Sequence, residues 1–134
     1  LVSYAVAGVS NEIMGEGPIP ASRAALEKAG LTLDQMDVIE ANEAFAAQVL
    51  CTLRAWESAD YCKKELGLDR ALGAIDPAKL NVNGSSLALG HPFAATGARL
   101  VATLAKLLEQ KGSGRGLISI CTAGGMGVTA ILER

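Results

Sequence analysis

The pattern of hydrophobic and polar positions predicts strands that alternate with helices. Four apolar runs, rich in Val, Ile and Ala, predict strands: "LVSYAVAG" (1–8), "DVIEA" (37–41), "RGLISIC" (115–121) and "GVTAILE" (127–133). Helical spacing predicts helices at 20–29, 43–66 and 93–111, the second of which allows a break near Ser58. Glycine and proline punctuate the loops between them. The alternation indicates an α/β layered domain with a mixed sheet.

The last predicted helix differs from the others because it is apolar nearly all round. Its charged or strongly polar positions are few: Arg99, Lys106, Glu109 and Gln110. A helix of this kind is normally buried between layers rather than lying on a surface. The expected fold is therefore a layered mixed sheet with a buried helix between layers.

Composition and charge exclude several classes of protein. The chain has 134 residues, enough for one domain with a core. Its formal net charge of −2, without basic runs, argues against a nucleic-acid surface. No apolar run approaches the roughly 18 residues of a membrane span. The chain does not begin with Met and opens directly on a strand-like run, so we expect it to be part of something longer.

The three cysteines predict reduced thiols rather than a disulfide framework. Cys51, Cys62 and Cys121 are odd in number and widely spaced, which fits neither paired disulfides nor a paired-cysteine zinc site. We therefore expect no metal, and a bacterial cytoplasm or an organelle matrix as the compartment.

Polar insertions at three strand ends carry the candidate chemistry. They are "EANEAF" (40–45), "LGHPF" (89–93) and "ICTAGGMG" (120–127), and sites in layered α/β folds assemble where such loops gather. Each has an ordinary explanation. Asn42 suits a helix N-cap, His91 a buried structural histidine, and Cys121 a small core hydrophobe.

Taken together, the three side chains describe a reaction at a thioester. A neutral imidazole is a competent base for a thiol, because both groups titrate within a few units of neutrality. Backbone N–H groups beside a glycine-flanked cysteine can bind an oxyanion, and an asparagine amide can hold a water or a substrate oxygen without adding charge. The set predicts acyl transfer or carbon–carbon bond formation.

Three blocks of the sequence resemble the C-terminal blocks of the thiolases, the acetyl-CoA acetyltransferases and 3-ketoacyl-CoA thiolases. They are "NEAFAAQ", "NVNGSSLALGHPFAATGAR" and "CTAGGMGVTAILE", and "MGEGPIPASRAAL" resembles the segment that opens the family's C-terminal domain. The resemblance covers essentially the whole chain. Two positions depart from it: "NEAF" stands where the long-chain β-oxidation branch has "HEAF", and Ser85 replaces a usual glycine.

The resemblance implies a role for each candidate residue. His91 matches the base that activates a nucleophilic cysteine, and Cys121 matches the second cysteine, which moves a proton to or from the substrate. Asn42 matches the residue whose water completes one oxyanion hole with His91. The N–H of Ala123 matches half of a second oxyanion hole. Phe93, Gly124 and Met126 match substrate-binding positions.

The resemblance also implies what this chain lacks and what it binds. The nucleophilic cysteine belongs to an N-terminal domain absent from this chain, so the chain alone is expected to be inactive. Coenzyme A and acyl-CoA are expected as substrates, with no cofactor, and the full-length protein is expected to be a homo-oligomer.

Several other functions stay open on the residues alone. The chain could be a non-catalytic thiolase-like module that binds acyl-CoA or a protein partner. Ketoacyl synthases of the same superfold use a second histidine or an asparagine where Cys121 stands, so "CTAGG" disfavours them. A zinc site would need closer ligands. His91 with Cys121 could also form the pair of a cysteine protease.

Overall fold

The four strands form one mixed sheet. The computed structural model describes residues 1–134. Strands β1 (Ser3–Gly8), β2 (Val38–Ala41), β3 (Arg115–Thr122) and β4 (Met126–Glu133) lie in the order β1-β4-β3-β2. β4 is antiparallel to both β1 and β3, whereas β2 is parallel to β3. The predicted α/β fold with a mixed sheet is confirmed.

Five helices surround this sheet: α1 (Pro18–Ala29), α2 (Ala46–Glu57), α3 (Ala59–Leu66), α4 (Ser86–Leu89) and α5 (Phe93–Lys111). Short 3₁₀ turns occupy Asn11–Glu16, Leu33–Gln35 and Pro77–Lys79. α1 starts at Pro18, two residues before the predicted start, because proline suits the first helical turn, where its missing N–H has no partner to lose. None of the helices combines the length and the hydropathy that a membrane span needs.

Ser58 separates α2 from α3, where the sequence allows a break. Its backbone is extended, and its Oγ accepts a hydrogen bond from the Tyr61 N–H at 3.1 Å, which caps α3. α2 begins at Ala46 rather than at residue 43. Residues 43–45 therefore stay in the loop that follows β2.

The sheet has a thick core on one face. Ile39, Leu117 and Ile131 point toward α1, α2 and α3 and belong to a cluster of 12 buried residues. Their neighbours along the strands point to the opposite face, since side chains alternate along a strand. There Val38 and Ile118 meet Leu100, Leu104 and Leu108 of α5 in a cluster of 5.

α5 is covered on one side only. Its buried residues form a single stripe: Thr96, Leu100, Leu104 and Leu108. Its outward positions are exposed although they are apolar: Ala94, Ala95, Ala98, Val101, Ala102 and Ala105. The sequence pattern predicts burial between two layers, but nothing within these residues covers the outer side of α5. The expectation of a helix between layers is not met within this chain.

Candidate active site

The three polar loops meet at one edge of the sheet. β2 and β3 are parallel, so their carboxyl ends lie together, and α5 begins beside them. A cavity of about 390 Å³ opens there. Twelve residues line it: Met14, Ala44, Phe45, His91, Phe93, Thr96, Gly97, Ile120, Cys121, Thr122, Ala123 and Val128. His91, Phe93, Cys121 and Ala123 of the predicted site therefore share one mostly apolar cavity.

Both ring nitrogens of His91 have a polar side chain within hydrogen-bond distance, Thr96 at Nδ1 and Asn42 at Nε2. Nδ1 lies 2.7 Å from the Thr96 Oγ1, and that hydroxyl donates its hydrogen to the Pro92 carbonyl at 3.1 Å. Thr96 must then accept from His91, which places the ring proton on Nδ1. Nε2 keeps its lone pair and can act as a base. The ring of Phe93 packs edge-on, with ring centroids 5.1 Å apart.

Asn42 is buried beside His91 and is not a helix cap. Its side chain is 1% exposed, and its Nδ2 lies 3.5 Å from the His91 Nε2. Its Oδ1 accepts a 2.6 Å hydrogen bond from the Ser86 hydroxyl. The N-cap of α2 is instead Phe45, whose side chain makes no capping bond. The N-cap explanation of Asn42 therefore fails.

Cys121 presents a protonated thiol to the cavity. It lies near the end of β3, paired with Gly127, and is 5% exposed. Burial raises the pKa of this thiol above its usual value, because a thiolate is poorly solvated there. The other two cysteines differ. Cys62 is hydrogen-bonded in the core to the Ala55 carbonyl, and Cys51 is exposed.

The turn between β3 and β4 forms one rim of the cavity. The N–H of Ala123 makes no backbone hydrogen bond, so it is a free donor at the cavity wall. Gly124 and Gly125 follow with φ of +88° and +74°, which glycine adopts readily. Neither Gly124 nor Met126 lines the cavity, although the sequence analysis placed both among the substrate-binding residues.

Sequence reasoning missed the polar residues behind the cavity. Ser86, Thr96 and Arg99 contact the candidate residues or one another through hydrogen bonds. Glu40 is fully buried, and neither carboxylate oxygen has a hydrogen-bond partner. Burial raises the pKa of Glu40 to about 7, and the positive charge of Arg99 opposes the shift only in part. A lone charge within the apolar run "VIEA" is the signal that could have identified Glu40.

Two further features lie apart from this site. A cavity of about 510 Å³ lies between α1 and the segment 68–72, and no predicted site residue lines it. No group of three or more His, Cys, Asp or Glu side chains is arranged to hold a metal ion.

Known proteins resemble this chain in sequence and in structure. The acetyl-CoA acetyltransferase of Syntrophomonas wolfei subsp. wolfei is 47% identical over 133 residues, which are 99% of this chain and 30% of that protein. The 3-ketoacyl-CoA thiolase of Shewanella amazonensis is 47% identical over 132 residues, 98% of this chain and 30% of that protein. The chain thus spans about three tenths of the length of these relatives.

Two solved structures share the fold. The human mitochondrial 3-ketoacyl-CoA thiolase superposes with a TM-score of 0.81 at 41% identity, over 98% of this chain and 29% of that one. The acetyl-CoA acetyltransferase of Bacillus anthracis gives a TM-score of 0.79 at 44% identity, with the same coverage of 98% and 29%. The family described as thiolase, C-terminal domain, matches residues 1–134. The chain belongs to the thiolase family and corresponds to its C-terminal domain.

Proposed function

We propose that this chain supplies one wall of a thiolase active site, at which an acyl group passes between an enzyme cysteine and coenzyme A. The observation that carries the proposal is that His91 and Cys121 line the same apolar cavity. The nucleophilic cysteine comes from an N-terminal domain outside this chain, so the chain alone turns over no substrate.

His91 is the base of the first step. Its Nε2 lone pair takes the proton of the nucleophilic thiol, and the thiolate attacks the C3 carbonyl of a 3-ketoacyl-CoA. The imidazolium that forms keeps its Nδ1–H on Thr96, so its new Nε2–H can polarise a thioester oxygen. A water held by Asn42 completes that oxyanion hole, and the free N–H of Ala123 is half of a second one.

Cys121 moves the second proton. When the C2–C3 bond breaks, its electron pair stays on C2 of the departing acetyl-CoA, and the Cys121 thiol protonates that carbanion. The raised pKa of Cys121 supports this role, because the group must be a thiol before it can donate. The Cys121 thiolate then accepts the proton of coenzyme A, whose sulfur attacks the acyl-enzyme and releases the shortened acyl-CoA. The nucleophilic cysteine leaves as a thiolate and takes back the proton held on His91 Nε2, which restores both groups. Condensation runs the same proton transfers in reverse.

The proposal extends to the rest of the protein. Coenzyme A and acyl-CoA are the substrates, no other cofactor is needed, and the full-length protein is a homo-oligomer. Relatives come from bacteria and, in one solved structure, from a human mitochondrion, which supports a bacterial cytoplasm or an organelle matrix. The β-oxidation of fatty acids is the pathway that the name 3-ketoacyl-CoA thiolase supports.

A chimera tests the function. This chain replaces the corresponding C-terminal part of the Syntrophomonas wolfei relative, and thiolysis of acetoacetyl-CoA is followed together with the mass of the acyl-enzyme. We expect turnover by the unmodified chimera. His91→Ala abolishes acylation, whereas Cys121→Ala preserves acylation and lowers turnover by about 10³-fold, the usual scale of a lost general acid. Cys51→Ala, at an exposed position outside the cavity, is the matched control and leaves turnover unchanged.

Two results would contradict the assignment. Equal, small effects of His91→Ala and Cys121→Ala would show that neither group has the proposed role. A chimera that assembles like the parent enzyme but turns over nothing would favour the non-catalytic module that binds acyl-CoA or a partner.

A further inference from the structure

A chain of hydrogen bonds runs behind the cavity from Arg99 to the start of α5. Arg99 Nη2 donates to the Ser86 Oγ at 2.9 Å, and Ser86 donates to the Asn42 Oδ1 at 2.6 Å. The Asn42 Nδ2 faces His91 Nε2 at 3.5 Å. His91 and Thr96 then carry the chain to the Pro92 carbonyl at 2.7 and 3.1 Å.

Both ends of this chain have fixed hydrogen-bonding roles. A guanidinium can only donate hydrogen bonds, and a backbone carbonyl can only accept them. Ser86 accepts from Arg99 and donates its own hydrogen to the Asn42 Oδ1. The Asn42 oxygen is then occupied, and its N–H edge is the one left for His91.

The bond to Ser86 is the one side-chain hydrogen bond of Arg99, whose positive charge also acts on the buried Glu40 carboxylate. None of the five ion pairs in the chain includes it, and its Nε and Nη1 are buried without hydrogen-bond partners. Burying unpaired donors of a charged group is unfavourable, so the one bond to Ser86 stands out. Ser86 is itself buried and contacts the site through Asn42 alone.

We propose that Ser86 and Arg99 are positioning residues that fix the orientation of the Asn42 carboxamide, with its N–H edge rather than its oxygen toward His91. An amide oxygen facing Nε2 would favour a proton on Nε2 and remove the lone pair needed for a base. The amide N–H edge favours the opposite tautomer. The role of His91 as a base rests on the proposed function, whereas the tautomer of His91 can be measured in a protein that turns over no substrate.

His91 allows a direct test because it is the only histidine among the 134 residues. In the ¹⁵N-labelled chain, long-range ¹H–¹⁵N spectra report one imidazole and the ratio of its two neutral tautomers. We expect Nδ1–H to dominate in the unmodified chain. Ser86→Ala should raise the proportion of Nε2–H about fivefold, the factor that one net hydrogen bond commonly supplies. Ser86→Thr, which keeps the hydroxyl, should restore the original ratio.

Ser85→Ala is the matched control. Ser85 is the adjacent residue, is fully buried, and has a hydroxyl without a hydrogen-bond partner. We expect no change in the His91 tautomers from Ser85→Ala. If Ser86→Ala does not fold, Arg99→Met tests the same series of hydrogen bonds at its other end, where Arg99 is half-buried. It should shift the His91 tautomers in the same direction. Spectra of Ser86→Ala and Arg99→Met that match the unmodified chain would overturn the proposal, as would an equal shift from Ser85→Ala.

The chimera separates this inference from the proposed function. There Ser86→Ala should lower kcat by about tenfold to a hundredfold, the scale of a misplaced catalytic group, with little change in KM and with rescue by Ser86→Thr. An inactive unmodified chimera would contradict the proposed function while the tautomer result stands. An active chimera whose Ser86→Ala variant keeps both its tautomers and its kcat would overturn the positioning role alone.

Discussion

The two faces of the sheet are built differently. The face that carries α1 has the larger cluster of buried side chains, including Trp56 and Met36, and two more helices cover it. The face that carries α5 has the smaller cluster and a single helix, whose outer side is exposed. Most of the free energy of unfolding should therefore come from the α1 face, because apolar burial is the main favourable contribution to folding.

Both faces bury polar groups, and some of these have no hydrogen-bond partner, among them the Trp56 Nε1 on the α1 face. On the α1 face, Ser3 donates to the Ala25 carbonyl at 2.9 Å, and Ser22 and Thr129 bond each other at 2.9 Å. On the α5 face, the Glu40 carboxylate has no hydrogen-bond partner, and the first residue of α5 lines the candidate site. The two faces differ in the kind of group that is buried without a partner, since those on the α5 face include a carboxyl group.

Gly127→Ala should lower the stability of the fold more than the other variants, because the backbone of β4 at Gly127 contacts the backbone at Gly17 on the α1 face. A Cβ at Gly127 would overlap the backbone carbonyl of Gly17, next to the start of α1, and a backbone cannot move away as a side chain can. We expect a loss of at least about 5 kcal/mol, enough to prevent folding at this size. Circular dichroism and urea denaturation measure it. Gly8→Ala, whose Cβ meets nothing within 4 Å, is the control, and equal effects of the two would refute the explanation.

Two leucines compare the faces directly. Leu26 is buried on the α1 face, and Leu104 is buried on the side of α5 that faces the sheet. Leu26→Ala should cost about 4 kcal/mol and Leu104→Ala about 3 kcal/mol, because α5 is free on its outer side and can settle toward the sheet to fill part of the space. Val101→Ala on the exposed side of α5 should change stability by less than about 0.5 kcal/mol. A larger loss from Leu104→Ala than from Leu26→Ala would reverse the ranking of the two faces.

Glu40→Gln tests how the buried carboxyl group of the α5 face makes stability depend on pH. The pKa of Glu40 is raised from 4.5 to about 7, so the folded state holds a proton that the unfolded state has released. The stability that this bound proton contributes is complete below the pKa of the unfolded chain, 4.5, and is lost as the pH rises through the pKa of the folded chain, about 7. Stability should fall by about 2 kcal/mol between about pH 5 and about pH 7. Glu40→Gln should remove this decline in urea titrations. A decline that persists in the variant would assign it to another group.

Local patterns in the sequence were enough to predict the elements. The bounds of α5, from Phe93 to Lys111, agree with the prediction because Pro92 and Gly112 mark its ends. The strands follow from their apolar runs, and the break at Ser58 from its capping side chain. These features depend on residues that are close together in the chain, so a single sequence is enough to predict them.

Other features depend on residues far apart in the chain. Helical spacing in the second helix predicts one apolar stripe through Ala44, Ala47, Cys51 and Ala55, widened by Phe45, Val49, Leu53 and Trp56. Of these, Val49, Ala55 and Trp56 are buried, whereas Phe45, Ala47 and Cys51 are exposed. The bond between Ser86 and Asn42 joins positions 44 residues apart, so no periodicity reports it. The sequence pattern also cannot predict that one side of α5 is exposed, because alanine and valine are compatible with a covered helix face and with an uncovered one. The roles of Asn42, His91 and Cys121 remain predictions.

The charge distribution around the cavity has a last consequence. None of its twelve lining residues is Asp, Glu, Lys or Arg. The first residue of α5, Phe93, is among them, so the positive end of the helix dipole, worth roughly half an elementary charge, lies at the wall. A negative charge that develops in the cavity is therefore met by the peptide dipoles at the start of α5 and by His91 once its ring is protonated, and by no Lys or Arg side chain.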